Sequence, residues 1–179
     1  MKKFFILNLR GKSVYALLSF LLLTFILAGS AFAQTEKQLA GISSEVAAIN
    51  KSASKYKKTK KHVEDISLEG TEATYYQSGK NLRKITAKMF GESAYADGEF
   101  YYRDGHLIFA VLKRTNYSEP LGTGKKRKVM SVEEQSYYFA NDKLIRLLIG
   151  KKALKSNDER YEQLKDDLIS TADKLRKSL

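Results

Sequence analysis

Side chains able to carry proton, metal or covalent chemistry are scarce in this chain. Its 179 residues hold two histidines and no cysteine. His62 sits in a lysine-rich stretch, and His106 follows Asp104-Gly105 at the head of an apolar run. A lone histidine at the mouth of a turn has nothing beside it in sequence to orient it as a base, so it reads as a turn or surface residue. Zinc requires several His, Cys or carboxylate ligands converging on one point, and no cluster with that spacing occurs. Thiol chemistry is excluded by composition. There is no Gly-x-Ser-x-Gly elbow. Gly122-Thr123-Gly124-Lys125-Lys126 resembles part of a phosphate loop, but it lacks the glycine spacing and the closing Ser or Thr, and it lies between strands. Glu133-Glu134 suggests the paired carboxylates of sugar hydrolysis, yet neighbours on a strand point to opposite faces and cannot share a site. One of them paired with Glu99 has no support in sequence, and a cross-strand partnership with Arg or Lys is the plainer reading. The sequence therefore predicts a protein that is not an enzyme, with no cofactor and no metal site.

Two features point to binding instead. Lys125-Lys126-Arg127-Lys128 is the densest basic cluster, on a loop that also holds Gly122, Gly124 and the only proline, Pro120. It could grip an anionic polymer or be the solvated tip of a long hairpin. The second feature is a motif met three times: Tyr75-Tyr76-Gln77-Ser78-Gly79-Lys80-Asn81-Leu82, Tyr101-Tyr102-Arg103-Asp104-Gly105-His106-Leu107, and Tyr137-Tyr138-Phe139-Ala140-Asn141-Asp142-Lys143-Leu144. Eleven tyrosines and no tryptophan make a skewed aromatic set. In each pair one ring should face in and one out. The outward rings, with Tyr75, Tyr101 and Tyr137 as candidates, could form a stacking row or serve only as cross-strand pairs.

The elements that must carry these residues are legible. Leu39, Ile42, Val46, Ile49, Ala53 and Tyr56 recur at spacings of three and four, which predicts a helix over 36–56. Lys51–Lys61, with six lysines, reads as the solvated helix end and a linker. From Ile66 to Ile149 the pattern is that of strands. Thr71–Gln77 should pair with Leu82–Phe90, Glu99–Tyr102 with Leu107–Asn116, and Met130–Phe139 with Leu144–Ile149, across short polar turns. Residues 107–112 and 144–149 are apolar on both faces, so both faces there need cover. A second helix is expected over about 157–177, with Asn157 as N-cap and Tyr161, Leu164, Leu168, Ala172, Leu175 and Leu179 on its apolar stripe.

The first 33 residues read as a targeting segment. Lys2, Lys3, Arg10 and Lys12 precede an apolar run from Val14 to Leu27, and Ala31-Phe32-Ala33 fits the small-x-small cleavage rule, with Gln34 as the new terminus. That run is shorter than the roughly 20 residues needed to span a bilayer. Membrane contact is expected only through this segment before cleavage, and the product is expected to be periplasmic or secreted. Cleavage removes four of the 32 basic residues and none of the 20 acidic ones, leaving 28 against 20 and a net charge of +8. A basic exported chain faces envelope phosphates and acidic polysaccharides, with no sign of specific nucleic-acid recognition.

The Tyr-Tyr-x-Asp-Gly-x-Leu and Tyr-Tyr-Phe-x-Asn-x-Lys-Leu stretches resemble repeats in small exported bacterial proteins of unknown function and, more faintly, MORN-type hairpin repeats. The likeness covers about 71–149 and implies a ladder of hairpins; it implies no catalytic residue. The expected architecture is α+β: a curled, six-stranded antiparallel β meander with one N-terminal and one C-terminal helix. Its parts are a signal peptide (1–33), a helix and basic linker (34–62), the sheet (63–150) and the last helix (151–179), with 34–179 as one globular domain. The expected function is non-enzymatic binding of a protein partner or an anionic envelope polymer through the sheet face or the basic loop. The alternative is an inhibitor or accessory protein of an exported enzyme, and a hydrolase with a hidden site comes third.

Overall fold

The structure, a computed structural model, describes residues 34–179. The targeting segment expected over 1–33, with its cleavage point, lies outside the described residues. The chain forms two compact units, Met1–Ala40 and Gly41–Leu179. Of the first, only the helical residues 34–40 are described. Apart from this start of the first helix, everything below concerns the second.

Helix α1 occupies 34–52 and ends in a 3-10 turn at Ala53–Lys55. Eight strands follow: β1 Lys57–Val63, β2 Thr71–Ser78, β3 Asn81–Phe90, β4 Ala94–Arg103, β5 His106–Tyr117, β6 Val129–Ala140, β7 Lys143–Ile149 and β8 Lys152–Ala153. Helix α2, Tyr161–Lys177, closes the chain. The α+β class, the antiparallel meander and both helices are as the sequence predicts. The strand number is not. The sheet has eight strands in sequential order rather than six, and it is not closed.

The two added strands lie at the ends. β1 replaces the expected lysine linker, pairing residue for residue with β2 from Lys57↔Gln77 to Val63↔Thr71. An edge strand needs one partner and tolerates a charged face, and lysines there discourage unwanted pairing. Only Val63 is buried, while Lys61 reaches the far end of α2, where its ammonium donates to the carbonyls of Ser178 (2.6 Å) and Leu179 (2.8 Å). β8 is a two-residue hook on β7. β4 also starts earlier than expected, at Ala94. The expected N-cap at Asn157 fails because residues 155–160 form a turn of their own. Asp158 accepts the Arg160 backbone N–H at 3.0 Å, and α2 begins only at Tyr161.

Strand alternation sorts the side chains into two faces. Tyr75, Ile85, Phe100, Ala110, Tyr137 and Leu147 form one cross-strand row beneath Leu168, Ala172 and Leu175 of α2. The next row, Ala73–Ala87–Gly98, is small and makes room for the helix. A Cβ on Gly98 would meet the Phe100 ring at 2.9 Å. On the opposite face α1 lays Val46 and Ile49 against Tyr101, Ile108 and Phe109.

Candidate functional site

The three hairpins share one construction. Asp104-Gly105 (φ 51° and 82°) and Asn141-Asp142 (φ 51° and 60°) make two-residue turns with both positions left-handed, which matches the strand twist. In all three hairpins the register shifts by one residue just before the turn, between Tyr76/Gln77, Tyr101/Tyr102 and Tyr138/Phe139. Arg83, Ile108 and Ile145 are the extra residues of these bulges. Aligned on their turns, the equivalent positions are Tyr75, Phe100 and Tyr137 on the α2 face, then Tyr76, Tyr101 and Tyr138 on the other. The second Tyr pair is therefore out of step with the others by one residue. Tyr102, like Gln77 and Phe139, has returned to the α2 side.

This construction settles where the candidate tyrosines lie. Tyr75, Tyr101 and Tyr137 are all fully buried, at 0%, 1% and 1% exposure. Tyr75 donates its hydroxyl to the Leu175 carbonyl at 2.9 Å, and Tyr137 donates to Gln135 at 2.6 Å. Tyr101 sits under α1, bonded to Asn50 and Glu99. None offers a ring to solvent. The rings on the α1 side form a closed ladder: Lys58 lies 5.5 Å over Tyr76, Lys84 lies 4.8 Å over Tyr101, and Phe109 bridges Tyr101 (5.7 Å) and Tyr138 (4.8 Å). Cations and neighbouring rings already use these aromatic faces.

The basic loop is not a single patch either. Arg127 turns inward, stacking 4.0 Å from the Tyr117 ring and donating to the carbonyl of Glu119 at 3.1 Å. Lys125 pairs with Glu119 at 3.6 Å, while Lys126 and Lys128 stay exposed. Leu121 N–H donates to the Glu92 carbonyl at 2.7 Å, so the loop folds back over the β3–β4 turn. Replacing Lys125, Lys126, Arg127 and Lys128 by Gln is therefore expected to weaken retention on an anionic resin no more than replacing four exposed lysines elsewhere. A selective loss well beyond that control would instead make the loop a polymer grip.

His106 Nδ1 lies 2.7 Å from Asp142 Oδ1 and His62 lies 3.2 Å from Glu64, both on the surface. Two shallow cavities lie beside His106 and Asp142: one is lined by Arg103, Ile108 and Asn141, the other, against α2, by Tyr102, Asp173 and Arg176. Glu99 belongs to the network under α1, and Glu133 accepts from Gln135 at 2.6 Å. Among the described residues no group of three or more His, Asp or Glu is placed to hold a metal ion. Wider hollows lie elsewhere. One, of about 410 Å³, lies between α2 and the far ends of β3–β6, floored by Met89, Ala96 and Leu112. The other, of about 620 Å³, lies on the opposite face between lysines and carboxylates of β1–β4. There Glu72, Lys88, Asp97, Lys113 and Glu134 alternate in sign across one row, so the charges answer one another.

The feature the sequence reading missed is a strand edge. β6 has 12 residues and β7 seven. β7 pairs with Gln135–Ala140 and makes its last contact when Gly150 N–H donates to Glu134 O at 2.7 Å. Residues 129–133 are paired with β5 only. Because Glu134 turns its carbonyl away from β5, Val132 two residues earlier turns its N–H and C=O to the same open side. Val129, Met130 and Val132 are 58%, 68% and 53% exposed. A groove runs along this edge, bounded by Arg114, Asn116, Ile149 and Gly150. The one clue in sequence was the unequal length of the last two expected strands.

No family model, no curated protein and no solved structure matches this chain. Among the described residues no helix is long and apolar enough to cross a membrane.

Proposed function

We propose that this is an exported, non-enzymatic binding protein that holds a protein partner by strand addition on the open edge of β6. One observation carries the reading: five residues of β6 expose a backbone edge and apolar side chains together. An added strand gains its affinity from main-chain hydrogen bonds and its specificity from alternate side chains. The other two edges are poor docks. β1 is armed with Lys57, Lys58, Lys60 and Lys61, and β8 is two residues long. The 129–133 edge carries no lysine and only one charged side chain, Glu133. An anionic polymer has weaker support, since Arg127 and Lys125 already have partners.

Proline at 132 tests this. Its ring removes an N–H that β5 does not use, so folding should persist while docking fails. Immobilised wild-type protein is expected to retain a partner from envelope extract that Val132→Pro does not, with equal thermal melts. Equal retention by the two proteins would overturn the reading.

A further inference from the structure

We propose that the hollow between α2 and the sheet binds a single-chain amphiphile with one anionic head, of the medium-chain fatty-acid class. The site is separate from the β6 edge and does not rest on it. Leu168, Ala172 and Leu175 of α2 lie over the row through Phe100 and Tyr137. Two rows further along the strands, Met89, Ala96 and Arg114 stand side by side on the same face, and a space of about 410 Å³ opens there. That volume lies in the range of small-molecule sites. A Cβ on Gly98 would stand 3.1 Å from both Met89 Cε and Leu112 Cδ2, so the glycine leaves those side chains room to close an apolar floor. Leu164 and Leu168 supply the α2 wall. Leu68, 86% exposed, lines the rim, and an acyl chain in the hollow would take it out of water. Met89, unbranched and adaptable, suits a floor that must fit a flexible tail.

The head group is set by Arg114, the one cation in the lining. Its cross-strand neighbour is Glu133, but that carboxylate accepts from Gln135 Nε2 at 2.6 Å, and Gln135 in turn accepts from Tyr137. Arg114 donates instead through Nε to Asn116 Oδ1 at 3.0 Å, and Asn116 Nδ2 bonds Ser131 Oγ at 2.9 Å. Among the described residues only Nε of this guanidinium is engaged, so the fork is braced from one side and both Nη groups are free to take a carboxylate. Asp167, the one acid in the lining, is exposed on the α2 wall. It repels an anion from that wall and directs the head to the sheet rim.

The methionines give a native probe. Besides Met1 the chain has only Met89, in the floor of the hollow, and Met130, on the β6 edge. In methyl-labelled protein, decanoate is expected to shift the Met89 methyl resonance saturably and to leave Met130 in place. Decyltrimethylammonium, with the same tail and a cationic head, should leave Met89 unmoved at the same concentrations. Arg114→Gln should weaken decanoate binding about tenfold, as for a charge-assisted pair lost at an exposed rim. Ala96→Phe, which fills the floor, should abolish binding with a thermal melt equal to wild type, and Ala94→Phe repeats the block at the rim should the floor variant melt early. A Met89 resonance that decanoate does not move, or moves without saturation, overturns the inference, and so does an equal response to the cationic amphiphile. Val132→Pro should leave decanoate binding unchanged, so the hollow and the β6 edge stand or fall separately. Loss of decanoate binding in that variant would place the amphiphile on the edge and overturn the assignment to the hollow.

Discussion

Raising the pH from 10 toward 12 is expected to unfold this protein in one cooperative step, with the buried tyrosines ionising as the fold is lost. Burial raises the hydroxyl pKa of Tyr75, Tyr101, Tyr102 and Tyr137 above the ordinary value of 10.0. Tyr102 feels this strongly, since its buried hydroxyl has no hydrogen-bond partner in the protein. In the unfolded chain these groups lose their protons near pH 10, while the folded state holds them to higher pH. Their contribution to stability is thus intact below pH 10 and is lost as the pH climbs through the folded values. Tyr102 and Tyr137, held highest by burial, each remove up to about 1.4 kcal/mol per pH unit once the pH passes 10, together approaching roughly 3 kcal/mol over a unit, a large share of the stability of a small domain. Tyr95 is pushed up to about 12, first by burial and then by its bond to Asp97, and should titrate late even where the fold survives. Tyrosinate absorbance followed together with far-UV circular dichroism checks this. A smooth titration of all the tyrosines near pH 10 with the dichroism unchanged would contradict it.

Replacing Lys84 by Ala is expected to cost about 3 kcal/mol, near the lower bound for breaking a buried ion pair because Glu99 is partly exposed. Lys84 is buried where α1 crosses the sheet. Its ammonium donates to Asn50 Oδ1 at 2.9 Å and to Glu99 Oε2 at 3.0 Å, and lies over the Tyr101 ring. The Tyr101 hydroxyl donates its one proton to Glu99 Oε2 and lies 3.1 Å from Asn50 Oδ1. Burial pulls the lysine pKa down, but the contacts with Tyr101 and Glu99 outweigh it and hold the amine above its ordinary 10.5. Its contribution is therefore present below that value and is lost as the pH rises past it, which steepens the alkaline transition. Removing the cation leaves a carboxylate and an amide oxygen short of a donor. Lys84→Met keeps the stem and should cost about 2 kcal/mol, since only the charge-borne bonds are lost. Thermal melts of the two variants at neutral pH measure the difference, and melting temperatures equal to wild type would refute the network.

Most of the hairpin ladder was legible because turn chemistry is local. Asp104-Gly105 and Asn141-Asp142 announce left-handed positions wherever they stand, and the apolar runs on either side supply the strands. The double-sided apolar character of 107–112 also read correctly, since α2 and α1 each cover part of it. Other features depend on partners that periodicity cannot see. β1 hides among lysines because pairing with β2, not burial, makes it a strand. The tyrosine pairs looked like three equal copies. A one-residue bulge in each hairpin decides which ring goes where, so Phe100, not Tyr101, matches Tyr75 and Tyr137. The open edge arises from a mismatch between two strand lengths, a relation between elements rather than a property of either.

The most direct measurement is backbone hydrogen exchange at Val132. In dilute, unpartnered protein its amide should exchange quickly while those of Ser131 and Glu133, facing β5, stay protected. In the complex with a protein partner, Val132 should join the protected set. An amide at Val132 that exchanges equally fast with and without the partner would place binding elsewhere on the molecule and contradict the account.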